Sequence, residues 1–148
     1  YLRRSITGGS SDIELFGPEH LVVDSSTGLS YYPFWKDDAL WVKEFLLVEG
    51  DTIHTLDVRL DYIIGSGQHT NSHLFERNGF VFQAPLTFYT QASYWELPPG
   101  FEGGNNSRFN RMIDLECMSC HNALPSMNNV THSFEVRPVI PLSYFFYC

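Results

Sequence analysis

The stretch Ser72–Leu86 has the sequence SHLFERNGFVFQAPL, and the dipeptide Asn78-Gly79 lies near its centre. Asn-Gly supplies the two positive φ angles that a tight turn between antiparallel strands requires. The stretch therefore predicts a β-hairpin with strands at Ser72–Arg77 and Phe80–Leu86. We expect Pro85 near the end of the second strand, where a missing N–H group is tolerated.

The residues before this hairpin repeat its pattern. Runs rich in branched and aromatic residues alternate with short polar segments that contain Gly, Asp or Ser, about ten residues apart, which is typical of antiparallel hairpins. These runs are Leu21–Val23, Leu29–Trp35, Ala39–Val48 and Thr52–Leu60. The fold class that we predict is mainly β, an antiparallel hairpin meander over residues 21–90.

The remaining part of the chain has a different texture. Residues 91–148 contain several Gly, Pro and Asn clusters, and only the segment 108–122 has the composition of a short helix. The 148 residues suit a single domain, or a fragment of a longer chain. The apolar and aromatic run that ends at Cys148 favours the fragment.

Charge and hydropathy exclude several classes of partner. The formal net charge is −8 and the chain has only two lysines, so it lacks the basic surface that nucleic acid or anionic lipid would require. No run of 18 or more apolar residues occurs, so we predict no transmembrane segment in this chain. An acidic surface suits cationic or neutral partners.

The segment Cys117-Met118-Ser119-Cys120-His121 carries the clearest chemistry. In a Cys-x-x-Cys-His motif, two thiols add to the two vinyl groups of haem, and the adjacent histidine binds the iron. We therefore predict a covalent haem c held by Cys117 and Cys120, with His121 as an iron ligand. This short loop or helix segment would carry the haem on the β fold.

Other interpretations of the cysteine pair stay open. A structural zinc site normally needs four ligands in two spaced pairs, and the chain offers only Cys148 as a further cysteine. A thioredoxin-like pair prefers a strand–helix context, which residues 86–116 do not offer. The pair could also form a disulfide, or coincide by chance with the motif.

A second iron ligand is harder to choose. His69 follows Gly65-Ser66-Gly67, and these small residues would let a flat macrocycle approach the backbone closely. We predict His69 as the second ligand and keep Met112 and Met127 as chemical alternatives. The other histidines are expected to be packing or surface residues; they are His20, His54, His73 and His132.

Four segments occur in an order that resembles a family of multihaem c-type cytochromes over residues 55–125. They are Tyr62–Ser72, the Asn78-Gly79 hairpin with Gln83–Tyr89, Trp95–Glu102 and Leu115–Ala123. The resemblance implies that Cys117 and Cys120 bind haem, that His121 is the proximal ligand and that His69 is functionally placed. It also implies a further haem motif that would begin near Cys148. The stretch Leu124–Tyr147 departs from the family's connecting loop, so the place of a second haem is not implied.

These features together predict an electron carrier. We expect one-electron transfer within a multihaem conduit, with redox proteins or neighbouring haems as partners and with a homo-oligomer or polymer as one form of assembly. Aromatic residues such as Tyr62, Phe88, Tyr89 and Trp95 could pack on the haems. Haem attachment of this kind implies the periplasm, the cell surface or the extracellular space. The alternatives are a haem enzyme with an open sixth position, and a haem-free β module stapled by metal or disulfide.

Overall fold

The computed structural model describes residues 2–4, 14–65, 67–121, 126–131 and 133–135. These residues form twelve β-strands and one α-helix. The strands are β1 (Leu2–Arg4), β2 (Val22–Val23), β3 (Leu29–Lys36), β4 (Ala39–Val48), β5 (Asp51–Leu60), β6 (Tyr62–Ile64), β7 (Thr70–Arg77), β8 (Phe80–Tyr89), β9 (Tyr94–Glu96), β10 (Arg111–Met112), β11 (Ser126–Met127) and β12 (Phe134–Glu135). The helix α1 is Leu115–His121. The mainly β prediction is confirmed.

The first sheet has four antiparallel strands in the order β2-β3-β4-β5. Its turns lie where polar residues interrupt the apolar runs, and Asp37, Asp38, Glu49 and Gly50 all adopt positive φ angles there. In β5, two residues oppose the single residue Phe45, which makes a β-bulge in the pairing with β4.

The second sheet has six strands in the order β1-β6-β7-β8-β10, with β9 also paired to β8. The central hairpin β7–β8 turns at Asn78 and Gly79, whose φ angles are 56° and 82°. The predicted hairpin and its turn are therefore confirmed. The meander predicted for residues 21–90 is divided between the two sheets near Asp61.

Strand β8 continues through Pro85 to Tyr89, so Pro85 does not lie near its end. The pairing with β7 is irregular at this point, because Leu74 pairs with Gln83 but Ser72 pairs with Thr87. On the other edge of β8, β10 reaches only Gln83 and β9 begins only at Thr87. Pro85 therefore lies where the hydrogen-bonded pairing is interrupted on both sides, and its missing N–H costs little.

The two sheets pack face to face around one main core. The buried members from both sheets are Tyr31, Leu40, Val42, Leu60, Phe75, Ala84, Leu86, Phe88 and Trp95. Phe88 and Trp95 are in contact there, with ring centroids 5.3 Å apart. These two aromatic side chains therefore serve the core of the β-sandwich. Tyr89 instead lies at the surface, where its ring stacks on Tyr94 at 5.2 Å.

A smaller apolar cluster lies on the opposite face of the six-stranded sheet. It consists of Tyr62, Leu74, Val81, Ile113 and Met118. Because Met118 belongs to α1, the helix that carries the cysteine motif packs on the outer face of this sheet. No helix in the described part of the chain is long and apolar enough to cross a membrane.

Gly65 connects β6 to the segment before β7 and lies very close to the chain itself. A Cβ atom at this position would stand 2.1 Å from the Thr70 carbonyl oxygen and 2.8 Å from Asn71 Oδ1, and its φ angle is 150°. The absence of a side chain therefore lets two backbone segments approach each other, which is a structural role for this glycine.

We expect Gly65→Ala to lower the free energy of unfolding by about 2 kcal/mol, because a methyl group would clash with backbone that cannot move freely. Gly50→Ala is the matched control, because Gly50 also has a positive φ but has no atom within 4 Å of the added Cβ. Urea denaturation would measure both. Equal losses in the two variants would show that the φ angle, and not the close approach, demands glycine at position 65.

Candidate functional site

Helix α1 begins directly after the short edge strand β10. The N–H of Ile113 donates to the Val81 carbonyl at 2.8 Å, which fixes the start of the segment on β8. Asp114 then caps the helix, because its Oδ1 accepts a hydrogen bond from the N–H of Cys117 at 3.1 Å. The N–H of Met118 donates to the Asp114 carbonyl at 3.2 Å and closes the first turn. The predicted short helix is thus present, and it contains the whole cysteine motif.

Met118 attaches this helix to the sheet. Its side chain is only 3% exposed and belongs to the apolar cluster with Tyr62, Leu74 and Val81. Met118, one of the two residues between the cysteines of the motif, takes no part in haem attachment and therefore acts as a packing anchor. Because its side chain is buried against the sheet, Met118 is not available as an iron ligand.

Cys117 is an exposed, free thiol. Partial burial raises the pKa of Cys117, and the neighbouring Asp114 raises it further because its carboxylate accepts a hydrogen bond from the thiol and repels a thiolate. The same contacts, led by the hydrogen bond from the Cys117 N–H, lower the pKa of Asp114. The thiol is therefore less ionised than an ordinary cysteine, whereas redox-active cysteine pairs have lowered thiol pKa values.

Cys120 and His121 complete the motif in the last turn of α1. Of these two residues the structure describes the backbone. Positions 117 and 120 are three residues apart, so they lie on one side of the helix about one turn from each other. Cys148, the predicted start of a second motif, lies outside the described residues.

His69 lies at the other end of the six-stranded sheet from α1. The N–H of Thr90, which follows β8, donates to the His69 carbonyl at 3.0 Å. At the other end of β8, the Val81 carbonyl accepts a hydrogen bond from the N–H of Ile113, two residues before α1. Nine residues of β8 separate these two points, which is roughly 30 Å at 3.3 Å per residue. A seven-residue helix covers only about 10 Å of that separation. Met118, one turn before His121, packs on Leu74, which lies only four residues from Thr70 along β7. The pairing of His69 and His121 on one iron therefore stays a prediction.

The imidazole of His69 is nevertheless exposed. Gln91 Nε2 lies 3.0 Å from His69 Nδ1, so the amide can donate to that nitrogen and leave Nε2 directed elsewhere. Gly65, four residues before His69, lets the β6–β7 connection lie directly against the Thr70 carbonyl. A surface histidine with one ring nitrogen oriented by a neighbour remains suited to bind a metal presented from outside.

His73 is fully buried between the sheets. Its Nε2 lies 3.2 Å from Oε2 of Glu14, which is also buried, and its ring stands 5.0 Å from that of Trp95. Asn71 Nδ2 donates to the other oxygen of Glu14 at 2.6 Å. The expectation that His73 is a packing residue agrees with this position, although its polar partner was not foreseen.

A second buried carboxylate escaped the sequence analysis altogether. Glu44 is 0% exposed, and Arg108 Nε donates to both of its oxygens at 3.1 and 3.0 Å. Arg108 Nη2 and His54 Nε2 also contact the Glu44 carboxylate. Burial alone would raise the pKa of Glu44, but these hydrogen bonds outweigh it and hold the pKa below its ordinary value.

The surroundings of Glu44 extend this polar centre. Burial, followed by the adjacent Glu44 carboxylate, raises the pKa of Tyr31 far above its ordinary value, so this phenol stays protonated. Asn106 Nδ2 donates to Tyr31 Oη at 3.1 Å and to Asp24 Oδ2 at 2.9 Å. The network joins β3 and β4 to the loop that precedes α1.

Two members of this centre have unusual backbones. Arg108 has a φ of 57° and His54, in the β-bulge, has a φ of 49°. Left-handed conformations are strained for such residues, and they persist where surrounding contacts enforce them. Here the contacts of both side chains with Glu44 supply that constraint. The centre is therefore best explained as the fastening of the loop that leads to α1.

No family model, no curated protein and no solved structure matches this chain. Among the described residues, no three His, Cys, Asp or Glu side chains are grouped so that they could hold a metal ion.

Proposed function

We propose that this chain is a c-type cytochrome that carries a covalent haem on α1 and transfers single electrons. The observation that carries the proposal is the arrangement of the motif. Cys117 is a free, exposed thiol, its N–H is capped by Asp114, and Cys120 and His121 follow within the same short helix.

Each residue of the motif has a distinct part in this proposal. Cys117 and Cys120 would form thioethers to the haem, and His121 would bind its iron. Met118 would hold the helix on the sheet while its neighbours face the cofactor. The haem itself would supply an iron that cycles between the ferric and ferrous states. A fixed helix suits this task, because an electron carrier gains from ligands that do not move between the two states.

The position of His69 favours more than one haem. His69 is exposed and lies at the end of β8 opposite to Val81, to which the start of the α1 segment is hydrogen-bonded, so it is also placed to bind the iron of a neighbouring haem. Met112 is exposed on β10, directly before the helix, and it stays a candidate for the sixth position at α1. A multihaem conduit assembled from this and other segments, or from other copies, accounts for both positions.

The proposed surroundings follow from the chemistry of attachment. Thioether formation to haem takes place outside the cytoplasm, so we place the protein in the periplasm, at the cell surface or outside the cell. Its net charge of −8 favours docking to redox partners with cationic surfaces.

An absorption spectrum of the reduced protein, produced with a haem-attachment system, tests the proposal together with a pyridine haemochrome assay. We expect a sharp α band and haem that stays with the polypeptide after acid–acetone extraction. Cys117→Ser and Cys120→Ser should each lower retained haem, and Ser119→Ala, at the variable position of the motif, should retain it. A colourless protein would contradict the proposal. A high-spin spectrum that shifts with carbon monoxide would instead favour a haem enzyme.

A further inference from the structure

Arg111 is held in a fixed position beside the start of α1. Its Nη1 donates to the Pro99 carbonyl at 3.0 Å, and its guanidinium carbon lies 5.3 Å from the centre of the buried Phe101 ring. A Cβ atom on Gly100 would stand 3.3 Å from the same Nη1, so glycine leaves room for the guanidinium against this loop. Among the residues that the structure describes, Nε and Nη2 of Arg111 have no hydrogen-bond partner, so these donors of the planar group stay available.

The register of the six-stranded sheet places Arg111 on the same face as α1. Arg111 pairs with Gln83, and Gln83 pairs with Leu74, which belongs to the apolar cluster under the helix. Directly paired residues lie on one face of a sheet, so Arg111 lies on this outer face. Arg77 lies on the other face, because it follows the core residue Phe75 by two positions. Arg111 is therefore the one positively charged residue that β6, β7, β8 and β10 place beside the helix.

The surface next to Arg111 also contains exposed apolar side chains. Met112 is 52% exposed and Leu115 is 40% exposed, and both lie within four residues of Arg111 along the chain. Exposed apolar groups beside a fixed guanidinium fit an amphiphilic ligand that has a flat apolar body and a carboxylate edge. Haem has this form, because its propionates lie at the edge of the ring away from the vinyl groups that form thioethers.

We propose that Arg111 binds a propionate of the haem carried on α1, through the planar fork of its guanidinium. This inference rests on the proposed function, because it concerns the same haem. Three extended residues and one helical turn separate Arg111 from Cys117, so their Cα atoms lie at most roughly 15 Å apart. The width of a macrocycle and the length of an arginine side chain together span this distance.

A cation at the propionates has an electrostatic reason in this chain. Haem brings two carboxylates to a protein whose formal net charge is −8, and the exposed Glu116 lies on α1 itself. A charge-assisted, bidentate pair with Arg111 offsets this repulsion and orients the ring at the edge that the thioethers do not hold. The guanidinium also stabilises the ferrous state relative to the ferric state, because ferrous haem carries one positive charge fewer.

The test compares Arg111→Gln with the parent in the haem-bearing full chain. We expect a lower midpoint potential in Arg111→Gln, because the ferrous state loses a stabilising cation. The propionate bending band of the resonance Raman spectrum should move to lower frequency as the hydrogen bonds to the propionate are lost. Arg111→Lys keeps the charge but not the fork, so it should shift the potential less and should still move the band.

Arg77→Gln is the matched control. Arg77 also lies over a phenylalanine ring, that of Phe82 at 4.5 Å, but on the opposite face of the sheet, so its loss should leave the potential and the band unchanged. Arg111→Lys keeps an alkyl stem over Phe101, so its band decides the question even if Arg111→Gln does not fold.

Two results would overturn the inference. One is a propionate band that stays unchanged in both Arg111 variants, and the other is a potential that shifts without any change in the band, which would make Arg111 a distant charge. A parent chain that binds no haem would refute the proposed function and the inference with it. That result is distinct from haem that is bound but insensitive to Arg111, which refutes the inference alone.

Discussion

Replacement of Arg108 with alanine is expected to lower the free energy of unfolding by about 3 kcal/mol, the lower end of the range for breaking a buried ion pair. The variant would leave the Glu44 carboxylate, which is 0% exposed, without its principal partner. We take the lower end because the Arg108 side chain is 37% exposed, so water can replace part of its interaction. Urea denaturation followed by fluorescence would measure the loss.

The control for this variant is Arg59→Ala. Arg59 also contacts a carboxylate, that of Asp61 at 3.4 Å, but its side chain is 62% exposed. Exposed ion pairs contribute less than about 1 kcal/mol, so this variant should lie close to the parent. A similar loss in both variants would contradict the view that Glu44 is the buried charge that makes Arg108 important.

The pH dependence of the Arg108→Ala loss follows from the direction of the Glu44 pKa. In the parent, the folded-state pKa of Glu44 lies below its ordinary value of 4.5, so the stability that its ionised form contributes is complete above that pH. This contribution is lost as pH falls through the folded-state pKa. In the variant, burial without Arg108 raises the pKa of Glu44. Protonation of Glu44 at low pH then removes the unpaired buried charge, and with it part of the loss in stability. The gap between parent and variant should therefore be largest near pH 7 and shrink towards pH 3.

Met118→Ala is expected to lower the free energy of unfolding by about 3 kcal/mol, within the range for truncating a buried methionine. The side chain is 3% exposed and packs among Tyr62, Leu74 and Val81, so its loss leaves a cavity between α1 and the sheet. Because these contacts hold the helix that bears Cys117, the same change should also lower the haem retained per chain. Urea denaturation and the haemochrome assay would measure the two effects.

Two variants control for this result. Met118→Leu conserves volume and should cost less than about 1.5 kcal/mol while keeping haem attachment. Met112→Ala removes a methionine that is 52% exposed and should change stability little. If Met118→Ala unfolded like the parent and kept all of its haem, the packing anchor assigned to Met118 would be wrong.

The strands and turns of this fold were largely predictable, because their determinants are local. The Asn78-Gly79 turn needs positive φ angles that these two residues accept, and the neighbouring alternation sets the strands. Pro85 was placed wrongly at a strand end, since the interrupted pairing around it depends on three other strands. The division of the meander into two sheets likewise depends on contacts between distant segments.

The polar centres were missed for a different reason. Glu44 and Arg108 are 64 positions apart, and Glu14 and His73 are 59 apart, so neither pair is visible as a motif. One sign was nevertheless present, because Glu44 follows Leu40 and Val42 at every second position of β4 and therefore falls on the core-facing side. A charged residue at such a position predicts a buried partner, though it does not identify it.

The cysteine motif was visible from spacing alone, but its setting was not. Spacing gave the two cysteines and the histidine, whereas the packing of Met118 and the contact of Asp114 with Cys117 required the three-dimensional arrangement. The glycines before His69 were interpreted as room for a macrocycle. Gly65 instead accommodates the Thr70 carbonyl, which only the fold reveals.

Mass spectrometry of the denatured protein, produced with a haem-attachment system and digested with protease, tests the central claim most directly. The account predicts that the peptide containing Cys117 and Cys120 carries the added mass of one haem, joined through both sulfurs, and that the addition survives denaturation and extraction. The same peptide recovered only as free thiols, as a disulfide or with bound zinc would contradict the account.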